Sequence, residues 1–285
     1  MAIDLRGKPI IITGASSGIG AATALACAQA GMPVALAARR LDKLEALVQR
    51  LRASGAHAIA VQTDVTDPAQ CAALVDRAER ELGSTYAVFA NAGYGVEQTI
   101  EGMTDAEVRE MFEVNFFGSL NVIRPVLARL RSRALSPDGT PRGHVLWCSS
   151  CLANLPTPYC GVYSATKAAQ QHLSRAMRTE LRSDRIEVSS VQPIGTRTEF
   201  FETAVSRSPS PRVMDTKDSP FMQDASVVAG RVVRCLCRPR AEVWTGLPAI
   251  ALRLVMAGAA FMPNLADPLI GRAIARRRAA RASKP

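Results

Sequence analysis

The chain has 285 residues, 48% of them hydrophobic and 21% charged, which is the composition of a soluble globular protein with a full core. Its net charge of +10 is concentrated at one end, which excludes a uniformly basic molecule: residues 1–230 carry 24 Lys+Arg against 23 Asp+Glu, and residues 231–285 carry 11 against 2. Seven cysteines, at 27, 71, 148, 151, 160, 235 and 237, lie largely in apolar segments and read as reduced thiols of a cytosolic protein rather than a disulfide framework.

The first apolar run, Pro9 to Thr13, follows Asp4 and stops at a glycine, so it reads as a strand and not as an export signal. Further strands are expected over 33–38, 57–62, 86–91, 143–149, 186–192 and 241–246, with helices near 18–30, 41–53, 68–82, 104–133, 161–182 and 224–237. Alternation at this spacing predicts an α/β fold, a Rossmann-type doubly wound parallel sheet of about seven strands with helices on both faces. Runs such as "PIIIT" and "YAVFAN" are apolar throughout, as strands covered on both faces are. Residues 1–246 read as one cofactor-binding and catalytic domain. Within it, 199–223 is too long for an ordinary connection, ends in the apolar "PFM", and is expected to be a lid over the site.

Between the first strand and first helix lies "TGASSGIG", residues 13–20. Gly14 permits the tight turn, while Gly18 and Gly20 allow a ligand and the sheet to approach the helix. The helix N-terminus offers free N–H groups to a pyrophosphate, so a dinucleotide is expected there. An enzyme for NAD would place an acid near the end of the second strand; this one ends "VALAARR". Arg39 and Arg40 suit a 2′-phosphate through charge-assisted bonds, and the expected cofactor is NADP(H).

Tyr163 and Lys167, in "YSATK", sit four apart and share one face of a helix. Free tyrosine is a poor base at neutral pH, with a pKa of about 10. A nearby ammonium and a cationic nicotinamide would favour the phenolate, bringing the group closer to operating pH. Ser150 ends the fifth strand at the edge where open α/β sheets bind ligands.

In these motifs the chain resembles the classical short-chain dehydrogenase/reductase family over about residues 5–246. The resemblance is carried by "TGASSGIG", "DV" at 64–65, "NAG" at 91–93, Asn115, Ser150 and "YSATK". It implies a cofactor held by Gly14, Ser16, Ser17, Gly18, Ile19 and Gly20, with Asp64 and Val65 bordering the adenine. Asn91, Ala92 and Gly93 would steady the central strand against it, and Pro193, Thr196 and Thr198 would pass the nicotinamide. By the same resemblance Asn115 supports an active-site water, Ser150 bonds the substrate oxygen, Tyr163 exchanges the proton and Lys167 binds the nicotinamide ribose. Ser150, thirteen before Tyr163, fits the family spacing; Ser149 does not. One departure stands out. The usual Pro-Gly is Pro193-Ile194 here, with Gly195 one step late, which leaves the loop's path past the nicotinamide open.

Other chemistries are disfavoured. The three histidines, His57, His144 and His172, form no constellation with an acid and a nucleophile. Cys148 and Cys151 lack a second pair or nearby histidine, so no metal is expected.

Residues 247–285 read as an apolar then basic helical extension of the same domain. Its roles include covering the substrate pocket, packing against a second copy in a homo-oligomer, or lying peripherally on an anionic membrane. Its apolar stretch, Leu247 to Met262, contains Arg253 and is too short to span. Nucleic acid is disfavoured, because no aromatic residues interleave the arginines. The sequence thus predicts a cytoplasmic oxidoreductase interconverting a carbonyl and a secondary alcohol on a lipophilic small molecule. The alternative is a dinucleotide-sensing or scaffolding protein without turnover.

Overall fold

Seven of the apolar runs assemble into one sheet in a computed structural model that describes residues 2–155, 157–208, 222–246 and 249–282. The strands are β1 (Ile10–Thr13), β2 (Val34–Ala38), β3 (Ala58–Gln62), β4 (Ala87–Ala90), β5 (Gly143–Cys148), β6 (Ile186–Gln192) and, after two short strands outside the sheet, β9 (Glu242–Trp244). All are parallel, in the spatial order β3-β2-β1-β4-β5-β6-β9. The order reverses between β1 and β4. That reversal opens a crevice beyond the C-terminal strand ends, where ligands of such sheets bind.

The two-residue period of a strand divides the core. Ile10, Ile12, Val34 and Leu36 face helices α1 (Gly18–Gln29), α2 (Leu41–Ala53) and α8 (Ala225–Cys237). Ile11, Ala35, Ala37 and Ile59 face α3 (Pro68–Leu82), α5 (Gly118–Arg131) and α6 (Gly161–Glu180). Starts are marked locally: Asp67 accepts from Ala69 N at 2.8 Å before Pro68 opens α3, and Thr104 with Glu107 forms a capping box. Each cap supplies acceptors for N–H groups that lack a partner within the helix.

The expected helix over 104–133 is divided. Helix α4 (Asp105–Phe112) passes into a π turn, Glu113–Phe117, before α5 begins. The wider turn carries Asn115, whose Oδ1 accepts from Tyr94 N at 2.9 Å and whose Nδ2 donates to Tyr94 O at 2.9 Å. These long-range bonds compensate for a poorer helical geometry, as π turns at functional sites do. The expected lid also differs. Residues 199–206 form helix α7 (Glu199–Ser206), between short strands β7 (Thr196–Arg197) and β8 (Gln223–Asp224), which pair with each other. Residues 209–221 of that lid, including most of "PFM", lie outside the described residues. The apolar terminus forms α9 (Ala249–Phe261) and α10 (Pro263–Ala282).

Candidate active site

A cleft of about 610 Å³ opens at the C-terminal edge of the sheet. Its floor is the glycine turn. Gly14 has φ +65°, and a Cβ there would meet the Ala92 Cα at 2.9 Å. Gly18 has φ +54°, and its Cβ would meet Thr198 Cγ2 at 2.9 Å. Only glycine accepts both the left-handed backbone and the contact. Gly20 does not line the cleft; a Cβ there would fall on the Gly14 carbonyl oxygen, so its role is close packing. Asn91 ties the turn to β4 by donating to Thr13 O at 2.9 Å, while its own N–H donates to Thr13 Oγ1 at 3.0 Å. Ser16, Ser17, Ile19, Ala92, Gly93, Pro193, Thr196 and Thr198 all face the same space. The cradle has the open backbone and free helix N-terminus that a pyrophosphate requires, so the residues fit a dinucleotide.

Beyond the floor, Ser150, Tyr163 and Lys167 line one wall. Ser149 is spent elsewhere: its hydroxyl donates to the Lys167 carbonyl at 2.8 Å, fastening α6 to the end of β5. Ser150 bonds the Tyr163 hydroxyl, which draws the phenol pKa down, yet burial outweighs it and pushes Tyr163 well above the ordinary tyrosine range. Tyr163 as a whole is half-buried and lines the cleft, and the protein packed around it desolvates the phenol. The expected acidification by Lys167 is thus not supplied by the protein alone. The reason is placement: the ammonium lies 5.6 Å from the tyrosine ring centre and donates to Cys148 O at 2.8 Å and Gln170 Oε1 at 3.1 Å. Burial lowers the Lys167 pKa.

Asn115 sits behind this wall, fully buried and outside the cleft lining. Its side chain is committed to Tyr94 and to Thr166 Oγ1, at 3.0 Å. Its backbone carbonyl accepts from Gln170 Nε2 at 2.5 Å and Ser119 Oγ at 2.8 Å, so the expected role of Asn115 in supporting a water is not carried by a free side chain facing the cleft. A buried amide therefore links Lys167 to Asn115. Gln170 is absent from the residues that the sequence singles out; its only local signal is a polar residue three past Lys167 on the inward helix face.

Past the C-terminal end of β2, Arg39 and Arg40 both line the cleft. Arg40 donates to Ser16 Oγ at 2.9 Å and to Ser17 Oγ at 3.0 Å, bringing the two serines of the glycine turn under one guanidinium. Glu199 pairs with the same arginine at 2.8 Å and with Lys43 at 2.7 Å. Asp64 and Val65 line the cleft too, although the Asp64 carboxylate is turned onto Thr66, accepting from its N–H at 3.0 Å and its hydroxyl at 2.8 Å.

The other half is apolar. Val96, Leu152, Phe200, Phe201, Ala204 and Met222 line it, and Phe200 lies 5.5 Å from the Tyr163 ring. Burial pushes the Cys160 thiol beside it up to about 12, so that thiol stays neutral. Ile194 packs with Cys151 and Met256 of α9 and lies against Gly246, so the extra apolar residue anchors the loop while Thr198 still covers Gly18. Helix α9 thereby meets the rim of the site.

The chain is similar to known proteins over most of its length. The short chain dehydrogenase family matches residues 8–208. An uncharacterised oxidoreductase of Listeria innocua is 36% identical over 203 residues, which is 70% of this chain and 79% of that protein. A short chain dehydrogenase/reductase from Burkholderia phymatum, solved with NAD, has a TM-score of 0.77 at 26% identity and covers 88% of this chain and 94% of its own. One from Sphingobium yanoikuyae, solved with NADPH, has a TM-score of 0.73 at 28% identity and covers 91% and 95%.

Proposed function

The chain belongs to the short-chain dehydrogenase family as an NAD(P)-dependent oxidoreductase, and from that premise we propose that it uses NADP(H) to interconvert a carbonyl and a secondary alcohol on a lipophilic molecule. The observation carrying this reading is the meeting of Ser150, Tyr163 and Lys167 on one wall of the glycine-floored cleft. Gly14 to Ile19 would hold the pyrophosphate, and Arg39 and Arg40 would hold the 2′-phosphate. Asp64, Val65, Asn91, Ala92, Gly93, Pro193, Thr196 and Thr198 would border the rest. The bound nicotinamide supplies the hydride donor or acceptor.

The chain's own residues handle the proton. Burial keeps the Tyr163 phenol protonated, so in the reducing direction it can donate to the substrate oxygen while Ser150 holds that oxygen in place. The phenolate left behind faces the Lys167 ammonium, whose charge opposes its high pKa. Asn115 and Gln170 hold that ammonium's surroundings in one arrangement. Phe200, Phe201, Leu152 and Met222 exclude water and favour an apolar substrate body.

We read residues 1–246 as the cofactor-binding and catalytic unit and 247–285 as its extension. Packing of Met256 on Ile194 supports a rim role for α9. Exposed Leu254, Phe261, Met262, Leu265 and Leu269 support contact with a second copy, and the arginine-rich end of α10 supports peripheral contact with an anionic membrane. Among the described residues no helix is long and apolar enough to cross a membrane.

The test is reduction of a ketone and aldehyde panel by purified protein with NADPH and with NADH. NADPH should be preferred, and Tyr163→Phe should lose about 10²–10⁴ in turnover while cofactor affinity changes little. Preference for NADH would overturn the cofactor assignment. Unchanged turnover in Tyr163→Phe would overturn the chemistry.

A further inference from the structure

Helix α7 spans the cleft and is tied at both ends. At its start Glu199 bridges Arg40, at 2.8 Å, and Lys43, at 2.7 Å. Just past its end Arg207 pairs with Glu110 at 3.1 Å and stacks on Tyr94 at 4.5 Å. Between them Phe200 leans on Tyr163 and covers Gly95, closing the apolar half of the cleft. The start of the helix is thus fastened to the same guanidinium that gathers Ser16 and Ser17 past the C-terminal end of β2. The two bonds hold the Glu199 carboxyl down at about 2, so it is an anion at any physiological pH. Arg39 has no side-chain partner among the described residues.

We propose that Glu199 is an internal competitor for the cofactor's 2′-phosphate. It occupies Arg40 and Lys43, and a 2′-phosphorylated dinucleotide must displace it, releasing the first end of α7 from the substrate half. A phosphomonoester brings close to two charges and three acceptor oxygens where the carboxylate brings one charge and two oxygens, so the exchange runs toward phosphate. A dinucleotide with a free 2′-hydroxyl has nothing to exchange and leaves the helix fastened. The residue therefore sets cofactor discrimination and couples loading to opening of the lid. This rests on the assignment of NADP(H).

The test uses adenosine 2′,5′-bisphosphate against AMP as probes on the full chain, with affinity from calorimetry and amide exchange read over 199–206. In the wild type the bisphosphate should accelerate exchange in α7 and AMP should not. Glu199→Gln should bind the bisphosphate about three- to tenfold more tightly, as expected on removing a competitor held by two half-exposed ion pairs, with AMP affinity unchanged. Its α7 amides should exchange rapidly with no ligand present. Equal or weaker bisphosphate binding by Glu199→Gln, or α7 exchange indifferent to the bisphosphate, would overturn the proposal. If neither protein prefers the bisphosphate to AMP, the NADP(H) assignment itself fails. If the wild type prefers it and the variant gains nothing, only the competitor role fails.

Discussion

Replacing Gln170 by leucine keeps roughly the side-chain volume and removes three buried hydrogen bonds: those with Lys167 Nζ at 3.1 Å, Asn115 O at 2.5 Å and Ser119 Oγ at 2.9 Å. No partner is stranded, because Lys167 keeps Cys148 O and Ser119 keeps Asn115 O, each at 2.8 Å. Two neutral bonds contribute about 1 kcal/mol each and the charged one about 1.5–3 kcal/mol. Burying leucine in place of an amide returns about 1.5–3 kcal/mol. The net loss is about 2 kcal/mol, which lowers the melting temperature by about 4–8 °C for a domain of this size. The catalytic effect is separate. If the charged bond's about 1.5–3 kcal/mol is expressed in the barrier, kcat falls about 10- to 150-fold. Gln170 Oε1 favours the ammonium, so its loss lowers the Lys167 pKa further, and the alkaline limb of the kcat profile should move to lower pH. Gln170→Glu, which restores an acceptor for Lys167, should recover part of kcat. The assay is steady-state kinetics across pH beside cofactor binding and thermal unfolding. A variant that melts earlier but keeps kcat within about twofold, with an unmoved pH profile, would refute a positioning role.

Burial and backbone geometry give two further outcomes. Burial lowers the His144 pKa from 6.5 to about 3. As pH falls below 6.5 the unfolded chain gains a proton that the folded one refuses until about 3, so stability is lost across that window. At pH 5 the loss is about 2 kcal/mol, and His144→Gln should remove it; urea midpoints at pH 7 and pH 5 that shift equally in both proteins would contradict this. Gly18→Ala forces a side chain into φ +54° and against Thr198 at 2.9 Å, so it should cost about 1 kcal/mol or more and weaken cofactor binding severalfold. Gly230→Ala, in α8 with nothing within 4 Å of its Cβ, should instead stabilise by about 0.5–1 kcal/mol, and unfolding and binding titrations on the pair would expose an error in either sign.

Much of the site is legible in the sequence because its signals are local. The glycine turn, the two arginines closing β2 and the Tyr163–Lys167 pair are each read within eight residues, and backbone rules alone place them. The division of the helix over 104–133 is hidden because its apolar period continues through the π turn; only the bonds from Asn115 to Tyr94 and Thr166, 21 and 51 residues away, reveal the extra residue. Helix α7 is hidden for another reason: serine, proline and arginine dominate the segment after it and give the whole stretch the look of a loop, although "EFFETAV" is apolar on one face.

The amino-acid sequence by itself determined the parallel sheet, the tight glycine turn before α1 and the alignment of a phenol with an amine. Periodicity and φ preference act over a few residues and need no distant partner. Only the tertiary structure decided what each charge faces. Glu199 meets Arg40 across 159 positions, and Gln170 meets Asn115 across 55. Polar groups are satisfied by whatever the packed sheet brings within about 3 Å, and that neighbourhood exists only once the chain has folded.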